Sequence, residues 1–139
     1  MSLEQPERHF WEAAAVIWTA VVFSMAITPF HNVELITESL SDKLLHTSAF
    51  LVGSIVWAGT LERNAGPWRS VGLAISVCLV LGGVIEALQS QTATRQAEAG
   101  DLVADAVGVV VGALLWGMRV WLRERRASSH PEPSVGSLL

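Results

Sequence analysis

Four apolar runs, at residues 11–30, 44–61, 70–89 and 102–122, dominate this sequence and restrict what it can fold into. Each holds about 20 residues, and at ~1.5 Å rise per residue a helix of that length crosses a hydrocarbon core of ~30 Å. Such runs satisfy their backbone N–H and C=O groups in lipid only by coiling into helices. The expected fold is therefore all-α: an integral membrane bundle of four transmembrane helices. Composition agrees, with 16% charged residues against about 25% in ordinary soluble domains. A formal net charge of −4 offers no general basic surface, so nucleic acid is not an expected partner. The lone Cys78 excludes an intrachain disulfide and suggests no thiol metal cluster; within an apolar run it reads as a packed, inert thiol.

Taken in order, residues 1–10 form a polar N-terminal segment, 11–122 the four-helix domain and 123–139 a tail. Ser24-Met25-Ala26 loosely fits a signal-peptidase site, but the residues before the first run are acidic on balance and the run is too long. A retained helix is the better reading. Pro29 closes it, and the mixed connection at 30–41 is either a plain loop or an interfacial segment. Ser39 followed by Asp42 resembles a capping box opening the second helix. Residues 62–67, with Arg63, Asn64 and Gly66, break the second run from the third. The Ser/Pro-rich tail is expected to be disordered.

Cations set the orientation. Arg8, Arg63, Arg69, Arg119, Arg123, Arg125 and Arg126 fall on one side of four spans, and only Lys43 and Arg95 on the other. Lys/Arg excess marks cytoplasmic loops, so both termini are expected to be cytoplasmic. Trp11, Trp57, Trp68, Trp116 and Trp121 lie near the inner ends and Trp18 mid-span. Aromatic belts normally occupy both interfaces, so the outer end stands out as different.

That outer end carries the chemistry. Acidic residues inside apolar helices are costly and by default mark a functional site. At 100° per residue, Asp42, His46, Ala49 and Gly53 share about 60° of arc on the second helix, with Lys43 beside them. Gly82, Glu86 and Gln89 share a face of the third; Asp101, Asp105, Gly108 and Gly112 form a stripe on the fourth. Each stripe runs from polar residues outside to small residues deeper in. Small-xxx-small spacing lets helices approach closely in lipid, which would bring the polar ends together. Several members have a plainer explanation, whereas Asp105, a full turn further in, resists one. Glu86 as a clamp pairs with Lys43 or Arg95, Asp101 alone is a helix N-terminal acid favoured by the macrodipole, and a lone His46 is a packing residue. Gln89 reads as a hydrogen-bond partner. His9, His31 and His130 lie in flanking segments and carry no signal.

The ordered set Asp42-Lys43-x-x-His46, Ile85-Glu86-x-x-Gln89, Arg95, Asp101 and Asp105-x-x-Gly108-x-x-x-Gly112, over about residues 41–115, resembles the VanZ-like family of small membrane proteins. It departs where many members have Asn in place of Asp105, and in a slightly long loop between Arg95 and Asp101. The resemblance implies a bacterial cytoplasmic (inner) membrane protein of the cell envelope, associated with teicoplanin resistance, whose biochemical activity the family does not supply. Two functional classes follow. One is a binding protein, in which Asp42, Lys43, Gln89, Arg95 and Asp101 hold a membrane lipid or a lipid-linked cell-wall or polysaccharide precursor. The other is a membrane-embedded enzyme, with His46 and Glu86 or Asp105 as an acid/base pair, or with a divalent cation held by the carboxylates and His46. No Gly-rich phosphate loop, His-Glu-x-x-His or Gly-x-Ser-x-Gly motif is present. Ion or proton coupling through Glu86 and Asp105 is disfavoured, because the deep ends of the stripes are glycine and aliphatic.

Overall fold

The computed structural model describes residues 5–27, 38–91 and 99–129. All four expected helices form: α1 (Gln5–Ile27), α2 (Glu38–Ala65), α3 (Pro67–Gln89) and α4 (Ala99–Ser129). Three of them, α2, α3 and α4, are long and apolar enough to cross a membrane, whereas the apolar part of α1, His9–Met25, is shorter. Large apolar side chains stand outward on every helix, among them Val16, Leu44, Val80 and Leu114, at 70%, 58%, 64% and 67% exposure. A surface of that kind fits lipid and not water.

Helix ends follow local chemistry. α1 is described as far as Ile27, and the Pro29 expected to close it lies outside the described residues. The break expected across residues 62–67 contracts to one residue. Gly66 adopts φ 84°, a conformation that disfavours side chains, and Pro67 opens α3 at its first turn. Glu62, Arg63 and Asn64 stay helical, and the Gly66 N–H donates to Glu62 O at 2.8 Å. The helix signal at Ser39 is placed to within a residue, since α2 begins at Glu38. α4 departs from expectation at its C-terminus. It continues past residue 122 to Ser129, so the first part of the expected disordered tail is helix. Arg123, Glu124, Arg125 and Arg126 are good helix formers. Two of them also find partners: Arg123 Nη1 donates to Glu62 Oε1 at 2.8 Å, and Glu124 accepts from Trp68 Nε1 at 3.0 Å.

The most extensive interface joins α2 to α4. A Cβ on Gly108 would overlap the Thr47 carbonyl oxygen, and one on Gly112 would lie 2.5 Å from that of Leu51. The backbones therefore touch, as small residues allow in lipid. α1 attaches chiefly to α2 by tryptophan. Trp18 lies on Gly53 and donates its Nε1–H to Ala49 O at 2.8 Å; Trp11 lies on Gly59. One end of the bundle thus collects Trp11, Glu62, Trp68, Trp116, Arg119 and Arg123. Trp116 is buried at 4% exposure and edge-on to Trp11, so it packs helices together instead of serving in an aromatic belt. Trp68 and Trp121 are exposed, as belt residues are.

Candidate functional site at the polar end

At the other end, the polar head of the α2 stripe meets the stripe on α4, but its deeper small residues do not: Ala49 and Gly53 face Trp18 of α1, and Gly108 and Gly112 of α4 rest on Thr47 and Leu51. His46 Nδ1 and Asp105 Oδ1 are 2.8 Å apart, with side chains only 14% and 5% exposed. His46 lies in the third turn of α2 and Asp105 in the second of α4, because both helices begin earlier than the apolar runs. Thr47 reinforces the crossing by donating its hydroxyl to Ala104 O at 3.1 Å. The depth of Asp105 follows from Gly108. With no side chain there, α4 settles against the Thr47 carbonyl and carries the carboxylate to the imidazole one turn away.

Around this pair stand three more predicted residues. Asp42 and Asp101, both half-buried, each place a carboxylate oxygen within 4.8 Å of a His46 ring nitrogen and of one another. Lys43, half-buried, crosses to the first turn of α4: a Cβ on Gly100 would lie 2.9 Å from Lys43 Cε. On α3, Gly82 faces the pair, and its Cβ position is 3.2 Å from Asp105 Oδ2. Glu86 and the buried Gln89 continue that side of α3 towards its C-terminus, Glu86 half-buried. Glu86 is outside the Asp42, His46 and Asp101 group. Arg95 lies outside the described residues.

Below the site is an apolar floor. Trp18 meets Phe50 edge-on at 5.6 Å between ring centroids, and both pack with Cys78, Ile85 and Val109. The Phe50 ring reaches within 3.4 Å of the Gly82 Cβ position, directly under Asp105. Among the described residues, this apolar cluster closes the inner side of the polar group next to Gly82.

Four contributors went unrecognised in the sequence. Thr47 and Gly100 each had a visible signal, as neighbours of His46 and Asp101 at the same helix ends. Phe50 and Trp18 had none, being apolar residues in apolar runs. Chemically, the arrangement offers an imidazole backed by a buried carboxylate, two further carboxylates and an ammonium group. It is suited to holding a cation among the carboxylates or an anion at Lys43.

Compared with protein-family models, with curated proteins and with solved structures, the chain gives no match in any of the three.

Proposed function

We propose that this chain is a VanZ-like protein of the bacterial cytoplasmic membrane, crossing it four times with both termini inside. Its site then opens at the outer leaflet and binds an anionic envelope ligand, a lipid or a lipid-linked cell-wall or polysaccharide precursor. Binding there alters sensitivity to glycopeptides such as teicoplanin. The observation that carries the reading is the His46–Asp105 contact, 2.8 Å long and nearly sequestered between apolar helices. Ionisable pairs at membrane depth are costly and are found where a pathway or ligand site needs them. Lys43 supplies the positive charge beside it, and the cation-rich opposite end of the bundle supports the orientation.

The same dyad favours one rival, a membrane-embedded enzyme acting on a phospholipid or polyprenyl-linked substrate. An imidazole with a carboxylate on Nδ1 is arranged to move a proton at Nε2. Expression of the wild-type chain in a glycopeptide-susceptible bacterium tests the proposal. A several-fold rise in the teicoplanin concentration that stops growth is expected, lost in Lys43→Ala and His46→Ala at unchanged membrane levels. Lipid mass spectrometry of the purified protein should show an anionic species that Lys43→Ala no longer retains. Full protection by both variants, with the same lipids bound, would overturn the reading. A chemically altered lipid in cells with the wild-type chain but not His46→Ala would favour the enzyme.

A further inference from the structure

The polar end holds a ligand set whose geometry the function above leaves unused. Asp42 and His46 are one turn apart on α2, and Asp101 is in the first turn of α4. One ligand atom from each lies within 4.8 Å of the other two. Behind that cluster, Asp105 braces the imidazole of His46. Its carboxylate is 5% exposed and sits 2.8 Å from Nδ1. An Nδ1–H donating to Asp105 leaves the Nε2 lone pair as the free one, and a carboxylate behind a histidine is the usual support for a metal-binding imidazole.

We propose that Asp42, His46 through Nε2, and Asp101 bind one divalent transition-metal ion, zinc by preference, with Asp105 orienting the histidine. Donor chemistry selects the ion. Imidazole suits zinc and its neighbours in the first transition row, whereas magnesium and calcium prefer all-oxygen sites. Size agrees: ligands at ~2.0–2.2 Å from a tetrahedral zinc are about 3.4 Å apart, so ion binding requires the three ligand atoms, already within 4.8 Å of one another, to draw in by roughly 1 Å. Charge agrees as well. Asp42, Asp101 and Asp105 carry three negative charges and Lys43 one positive; with a neutral imidazole, a divalent ion brings these groups to neutrality. Uncompensated charge is what an apolar bundle tolerates least. Three protein ligands leave a fourth position open to water or to an anionic oxygen such as a phosphate. The ion site stands on these side chains alone; its use to grip the anionic ligand rests on the function proposed above.

The test uses the full chain, purified without a histidine tag, stripped with chelator and then titrated with zinc and, separately, cobalt(II). One tight equivalent per chain is expected, and cobalt should give the intense visible bands of a four-coordinate site. Asp42→Asn and Asp101→Asn should each remove the bands. Asp105→Asn keeps all three ligands but weakens the support of the imidazole, so zinc affinity should fall about 10–100-fold with the bands retained. The conservative asparagine variants guard against loss of folding, checked by circular dichroism. Absence of a tight equivalent in the wild-type chain overturns the proposal, whatever the variants do. So does binding that survives both asparagine substitutions and His46→Gln, or equal affinity for magnesium. Zinc binding without any bound anionic lipid would sustain the ion site while removing the ligand reading.

Discussion

His46 and Asp105 show at residue scale what burial does to an ionisable pair. Each was readable from the sequence as an expensive polar residue on an otherwise small or apolar stripe. Their partnership was not, because the sequence offered His46 two carboxylates, Glu86 and Asp105, at similar depth. In the structure Asp105 lies at 2.8 Å. Removing it leaves a nearly buried imidazole without that acceptor. Asp105→Ala should therefore destabilise the folded protein in detergent by about 1–2 kcal/mol, the usual range for polar contacts between membrane helices. Asp105→Asn keeps an acceptor oxygen and should cost less than half of that. Equilibrium unfolding in a denaturing detergent measures both, and equal losses would show that charge, not the hydrogen bond, holds the contact. Glu62 makes a useful contrast, since its partners Arg119 and Arg123 are 46% and 60% exposed. Exposed pairs contribute little, and Glu62→Ala should lower stability by less than about 1 kcal/mol in the same assay.

At the scale of helices, glycine decides which surfaces meet. Gly108 and Gly83 are both glycines inside transmembrane-length helices, yet nothing lies within 4 Å of a Cβ on Gly83, whereas one on Gly108 would strike the α2 backbone. Alanine at 108 must push α2 and α4 apart, and should cost about 1–3 kcal/mol, as overpacking does. It should also loosen the His46–Asp105 contact one turn away. Alanine at 83 should be neutral or favourable by up to about 1 kcal/mol. A comparable loss for both variants would mean that helix propensity, and not close approach, dominates at these positions. The small-residue spacing on α4 was legible in advance. Its counterpart on α2 was not, because the surface receiving Gly108 and Gly112 consists of the Thr47 and Leu51 carbonyl groups, which side-chain patterns do not reveal.

For the whole molecule, the two ends of the bundle divide the work. One gathers tryptophan, arginine and Glu62; the other gathers Asp42, Lys43, His46, Asp101 and Asp105 over an apolar floor. The proposed orientation turns this asymmetry into a measurement. With Cys78 replaced by alanine, a cysteine introduced by Ala97→Cys should react with a membrane-impermeant maleimide added to intact cells. Reaction only after the membrane is opened would reverse the topology and with it the outer-leaflet site.

Length and apolar periodicity by themselves determined that the chain forms four helices, and which residues of each share a face. They also determined that acidic and basic residues cluster at one end of the stripes. Helical geometry supplies this much because angle and depth along a helix depend only on position in the chain. Contacts between helices depend instead on their separation and rotation about their axes. Those are set by backbone approach at Gly108 and Gly112, by Trp18 lying on Gly53, and by Gly82 making room beside Asp105. Only the tertiary structure could therefore decide that His46 meets Asp105, that Asp42 and Asp101 close around the same imidazole, and that Trp116 belongs to the interior.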